Sequence, residues 1–272
     1  MNGDTPKSIV HPTDLSFASL DAFAHALRIA VACKSMLHIL HIEAPETEED
    51  DWDRFPQVRE MLARWKMISP TATRAEAVEA LGVKFVKAAV ESESPVMGVS
   101  AYAERHLCDL LVMMTRPRSA LERLLEGSIA EETARETHLP ALFLREDQKG
   151  FVDRETGAVS LNTVLMPVEA TVSPLDAFRH VADIAHRLNP AADVMLLHVG
   201  DELPIFEGLL PHIELRQGPV VETILDYARE IKADLIAMPT RGRQGLLEAL
   251  RGSTTERVLH EAPCPLLASP AR

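Results

Sequence analysis

Residues 109–144 read DLLVMMTRPRSALERLLEGSIAEETARETHLPALFL, and residues 234–269 read DLIAMPTRGRQGLLEALRGSTTERVLHEAPCPLLAS. At an offset of 125, fourteen of these 36 positions are identical. They are Asp109/Asp234, Leu110/Leu235, Met113/Met238, Thr115/Thr240, Arg116/Arg241, Arg118/Arg243, Leu121/Leu246, Leu125/Leu250, Gly127/Gly252, Ser128/Ser253, Glu131/Glu256, Glu136/Glu261, Pro140/Pro265 and Leu142/Leu267. Chance leaves only a few such matches, so the chain holds two copies of one unit. A weaker echo joins Ile9–Asp14 (IVHPTD) to Val164–Glu169 (VLMPVE).

Outward from this stretch, short apolar runs alternate with helical periodicity. In copy one, strands are predicted at Ser8–Thr13, Met36–Ile42, Val83–Val90, Leu110–Met114 and Ala141–Leu144. Leu20, Phe23, Leu27, Ala30 and Val31 share one helical face, and further helices are predicted at Val96–His106 and Gly127–His138. In copy two the strands are Thr163–Val168, Val194–Val199, His212–Leu215, Leu235–Met238 and Leu266–Ala268, with helices at Leu175–Leu188, Val220–Ile231 and Ser253–His260. Strands alternating with helices of this length predict parallel sheets covered on both faces. The copies differ between their second and third strands. Copy one inserts the acidic run Glu43–Asp53, read as a solvated loop, and helices at Gln57–Ile68 and Ala72–Leu81; copy two has only Gly200–Pro211. The polar segment Glu146–Thr156 reads as a linker between units at 1–146 and 157–272.

With 272 residues, 46% of them hydrophobic, the chain can bury two cores. Lys+Arg 28 against Asp+Glu 41 gives a net charge of −13, which disfavours nucleic acid and anionic membrane as partners. Aromatics at 4% offer few platforms for stacked bases. Cys33, Cys108 and Cys264 form no CxxC pair, pointing to a reducing compartment, the cytosol. No apolar run approaches the ~20 residues that span a bilayer.

In an open parallel sheet, ligands bind beyond the carboxyl ends of the strands, where strand order reverses. Pro12-Thr13-Asp14 and Thr115-Arg116 stand at those ends in copy one; Pro167-Val168-Glu169 and Pro239-Thr240-Arg241-Gly242 do so in copy two. Both copies then reach Gly-Ser at a helix start, where free N–H groups and the helix dipole suit a phosphate. Serine there is equally an ordinary N-cap. No GxxxxGK[ST] loop, GxSxG elbow or HExxH pair occurs. His38 and His41 fall on opposite faces of one strand, so neither pairs with the other on a metal. A zinc site built from distant histidines stays open at this point. Cys264 reads as a small core residue.

Asp234–Gly245, Leu250–Val258 and Ala262–Leu267 together resemble the C-terminal signature of the universal stress protein family, and Ile9–Ser16 and Leu196–Val199 resemble its first two strands. The resemblance covers both halves. It implies two tandem α/β domains, Rossmann-like (adenine nucleotide alpha hydrolase-like), each a five-stranded parallel sheet of order 3-2-1-4-5. It further implies an intrachain pseudo-dimer joined through the terminal strands, with a homodimer as a further option. One branch of the family binds ATP through Gly, two residues, Gly, nine residues, then Gly-Ser or Gly-Thr. Copy two keeps Gly242 and Gly252-Ser253 but has Pro239 for the first glycine; copy one keeps only Gly127-Ser128, with Met114 and Pro117 before it.

The resemblance therefore implies ATP with Mg2+ in copy two, held by Pro167, Val168, Glu169, Val199, Thr240, Arg241, Gly242, Gly252, Ser253 and Thr254. Thr13, Asp14, Arg116, Gly127 and Ser128 form a degenerate counterpart in copy one. The leading expectation is a non-enzymatic stress-response protein with an adenine nucleotide in copy two. The alternatives are a nucleotide-free interaction scaffold and a slow ATPase or autokinase.

Overall fold

The computed structural model describes residues 5–44, 54–115, 129–171, 173–206, 212–240 and 254–270. Copy one runs β1 (Ser8–Pro12), α1 (Ser19–Cys33), β2 (Met36–Glu43), α2 (Val58–Arg64), α3 (Arg74–Leu81), β3 (Phe85–Glu91), α4 (Pro95–Arg105), β4 (Leu110–Thr115), α5 (Ile129–Thr137) and β5 (Ala141–Arg145). Copy two runs β6 (Thr163–Pro167), α6 (Leu175–Leu188), β7 (Asp193–Val199), β8 (Ile213–Arg216), α7 (Val220–Glu230), β9 (Leu235–Thr240), α8 (Thr254–Glu261) and β10 (Leu266–Pro270).

The strands form one sheet of order β3-β2-β1-β4-β5-β10-β9-β6-β7-β8, two 3-2-1-4-5 units joined back to back. Every pairing within a unit is parallel; the seam between β5 and β10 is antiparallel. At its centre Leu142 faces Leu267, its own counterpart at the offset of 125, so a local two-fold axis passes between them. Pairing removes two apolar edges that would otherwise invite association. One core lies under α1, α2 and α6, the other under α4, α5, α7 and α8, and each contains residues of both copies.

Three expectations are corrected. The helix foreseen over 57–68 stops at Arg64: Trp65 is its C-cap, its N–H still donating to Met61 O at 2.9 Å, and Lys66 then takes a left-handed φ of 59°. The helix foreseen from Ala72 starts at Arg74, where Thr73 and Glu76 form a capping box, and it ends at Gly82 with φ 67°. The segment 146–156 is a built hairpin rather than a polar tether. Phe151 and Val152 are buried, Val152 bridges Val159, and Ser160 N donates to Phe151 O at 2.8 Å. The acidic run lies largely outside the described residues, since 45–53 do.

The hairpin binds the first unit through its insertion. Trp65 Nε1 donates to Arg154 O at 2.8 Å, and Arg28 Nε donates to Gly157 O at 3.2 Å. A Cβ on Gly157 would meet the Trp65 ring at 2.5 Å, so the indole lies flat against a position only glycine permits. Trp65→Phe keeps the apolar contact and leaves the Arg154 carbonyl without its donor. A loss of about 1–2 kcal/mol in urea unfolding is expected, and an unchanged midpoint would refute the clamp.

Candidate functional site

Two crevices open at the carboxyl edge of the sheet. β1 pairs with β2 over five residues but with β4 only at Ile9↔Leu110 and Val10↔Leu111. Likewise β6 pairs with β7 over five residues but with β9 only at Val164↔Leu235 and Leu165↔Ile236. Beyond those positions the ladder between them ends, at the point where strand order reverses.

Proline explains why the ladder ends there. Along a strand, successive N–H groups point to opposite neighbours. Thr13 N donates to Leu40 O and Val168 N to Leu197 O, both at 2.8 Å, so residues 12 and 167 face the crevices. Both are proline and have no N–H to extend the ladder. Ile236 N donates to Pro265 O at 3.0 Å, so residue 239 also faces the second crevice, and it too is proline. Pro239 lies inside β9 opposite Ser269, so it stands in a strand and not in a loop.

The first crevice is bridged by the protein itself. The Val112 carbonyl would have taken the N–H that Pro12 lacks; His11 Nδ1 donates to it instead, at 2.9 Å. The ring is fully buried, and burial pushes its pKa down to about 4, so it is neutral at pH 7. The loop that follows is tied to itself. Thr13 Oγ1 accepts from Leu15 N at 3.0 Å and pairs with Ser19 Oγ at 2.9 Å. The Asp14 carboxylate accepts from Ser16 N at 3.0 Å.

Among the described residues, position 166 supplies no such bridge in the second crevice. Met166 stands where the aligned start of copy one has His11, and a thioether cannot donate. The Ala237 carbonyl, counterpart of Val112, therefore gains no donor from position 166 or 167. Other supports are shared: His198 Nδ1 donates to Val168 O at 2.9 Å, as His41 Nδ1 does to Thr13 O at 2.8 Å. A Cβ on Gly200 would meet His198 Nε2 at 2.6 Å, so glycine keeps that imidazole in place.

Pro167, Val168, Glu169, Val199 and Thr240 gather at the carboxyl ends of the adjacent strands β6, β7 and β9, and Thr254 opens α8. Val168 is buried in the core beneath α1 and α6, whereas half-buried Val199 packs against the opposite core; Glu169 is exposed. Arg116, Gly127, Ser128, Arg241, Gly242, Gly252 and Ser253 lie outside the described residues. Sequence reasoning missed His11, Met166, His41 and His198. The first two were legible in the IVHPTD/VLMPVE echo as a donor exchanged for a non-donor.

The family model for the universal stress protein family matches residues 6–145 and 206–270. The chain belongs to the universal stress protein family. A universal stress protein of Methanocaldococcus jannaschii is 29% identical over 153 residues, 53% of this chain and 84% of the relative. One of a Synechocystis species is 29% identical over 139 residues, 42% of this chain and 88% of the relative. The crystal structure of a universal stress protein from Archaeoglobus fulgidus superposes with a TM-score of 0.65 at 20% identity, over 98% of this chain and 96% of that one.

In this tandem universal stress protein the cysteines are buried and free. Burial pushes the Cys33 and Cys264 thiols up to about 12 and Cys108 to about 11, which makes all three poor nucleophiles. Among the described residues, no helix is long and apolar enough to cross a membrane.

Proposed function

We propose that this universal stress protein binds an adenine nucleotide in the second unit alone, as a non-enzymatic regulatory ligand. The observation that carries the reading is the difference between the crevices: His11 spans β1 and β4, while Met166 at the same position supplies no donor between β6 and β9. On this reading Val168 and Val199 border the base, Pro167 keeps the crevice apart, and Glu169 reaches the ribose. Thr240, Arg241, Gly242, Gly252, Ser253 and Thr254 would hold the phosphates with Mg2+. The units are taken as 1–146 and 157–272.

The test is thermal melting with and without millimolar Mg-ATP. A ligand that binds only the folded state stabilises it by about 2.7 kcal/mol at a hundredfold excess over Kd, a rise of several degrees. Gly252→Asp places a carboxylate where phosphates are expected and should abolish the rise. Met166→His should rebuild the bridge of copy one in copy two and do the same while the protein stays folded. No shift in the wild type would leave the nucleotide-free scaffold as the reading. Phosphate release above a protein-free control, lost in Gly252→Asp, would instead indicate an ATPase.

A further inference from the structure

We propose that Glu131, Glu256 and His260 form a divalent-cation site, suited to zinc, where the two units meet. One ligand atom from each of the three lies within 4.8 Å of the others. Glu131 comes from α5 in the first unit, Glu256 and His260 from α8 in the second. The two glutamates are counterparts at the offset of 125, so the two-fold axis between Leu142 and Leu267 brings them together.

The His260–Glu131 distance suits two ligands of one ion. His260 Nε2 stands 3.6 Å from Glu131 Oε1, beyond the ~2.7–3.2 Å of a hydrogen bond. Two ligands at ~2.0–2.1 Å from a tetrahedral zinc stand about 3.4 Å apart. Glu131 is 2% exposed, so its carboxylate belongs to the interior between the units. Carboxylates are favoured in the first turn of a helix, which explains each glutamate separately but not their convergence with an imidazole. Two carboxylate oxygens and one imidazole nitrogen leave a fourth position open, as in zinc sites with three protein ligands.

The site breaks the repeat's symmetry at one residue: Arg135 is the counterpart of His260. The neighbouring cations are Arg135, one turn beyond Glu131 on α5, and Arg145, which is bound to Asp147 and to the His260 carbonyl. An arginine cannot ligate a metal; a histidine can. The exchange at position 260 therefore supplies the third ligand to a pair of glutamates that the duplication had already placed face to face.

The experiment is calorimetric titration of the full chain, stripped with chelator, using zinc chloride. Glu131→Gln, Glu256→Gln and His260→Asn are measured beside it, with circular dichroism to establish folding. The wild type is expected to bind one Zn2+ per chain saturably. Glu256→Gln and His260→Asn, on less buried residues, should stay folded and bind at least about tenfold more weakly. No saturable binding up to millimolar zinc would overturn the proposal. So would binding that is equal in wild type, Glu256→Gln and His260→Asn, which would place the metal on other histidines. A His260→Asn variant that melts lower while neither protein responds to zinc would reduce the cluster to a His260–Glu131 ion pair.

Discussion

Phe143→Ala will destabilise both halves of the molecule together, by about 3–5 kcal/mol. The ring is 1% exposed on β5, directly opposite Leu266 of β10. Its core contains Tyr102 and Leu111 of the first unit beside Leu197, Ile236 and Val258 of the second. A cavity at that position is therefore shared by both units, and the seam it loosens is all that keeps β5 and β10 from becoming open edges. Trp52 and Trp65, the two tryptophans, both fall in the first unit. Urea unfolding followed by tryptophan fluorescence thus reports that unit, while far-ultraviolet circular dichroism reports the whole chain. Coincident transitions are expected in the wild type, and both should move to lower urea in the variant. Two separated transitions, only one of them displaced, would show that the units fold independently.

Acidification will remove stability between about pH 6.5 and pH 4, chiefly through two buried histidines. His25 Nδ1 donates to Asp21 O at 2.7 Å, and its Nε2 accepts the Val152 N–H at 3.0 Å. The second bond needs a bare nitrogen, so protonating the ring would set N–H against N–H inside the core. Burial pushes the pKa of both His25 and His11 from the ordinary 6.5 to about 4. As pH falls, the unfolded chain takes up these protons first. The stabilisation is thus complete above about 6.5 and is lost progressively down to about 4. At ~1.4 kcal/mol per unit the loss is about 3 kcal/mol for each histidine. In His25→Gln the amide oxygen can still accept from Val152, but nothing titrates. Urea unfolding at several pH values should show roughly half the wild-type decline, and an undiminished decline would refute the assignment.

The hairpin that His25 holds was the least legible part of the fold. Residues 146–156 are mostly polar, and nothing local marks Phe151 and Val152 as core. They are buried because α1 and the insertion present His25, Arg28 and Trp65 to them, contacts that span about a hundred residues of chain. The early end of α2 has the same cause: the helical period continues past Arg64, but Trp65 is drawn to the Arg154 carbonyl.

The crevices divide in the same way. That the loops after strands one and four of each unit meet at the carboxyl edge of the sheet follows from apolar runs, turns and the offset of 125. The exchange of His11 for Met166 is visible in the aligned starts of the copies, but its consequence for the two crevices is not, because Pro12 and Pro167 look alike in sequence. Their difference depends on which neighbour each missing N–H faces, and on whether the side chain one residue earlier can supply a donor across the gap.

By itself, then, the sequence determined the duplication and the alternation of strands with helices, which rest on a repeat and on local periodicities, and its resemblance to the family implied the two 3-2-1-4-5 units. Only the tertiary structure decided that residues 146–156 pack as a hairpin with Phe151 and Val152 buried, that His11 bridges β1 and β4, and that Glu131 meets Glu256 and His260. Each of these depends on hydrogen-bond direction or on side chains brought together from distant segments, which no local pattern encodes.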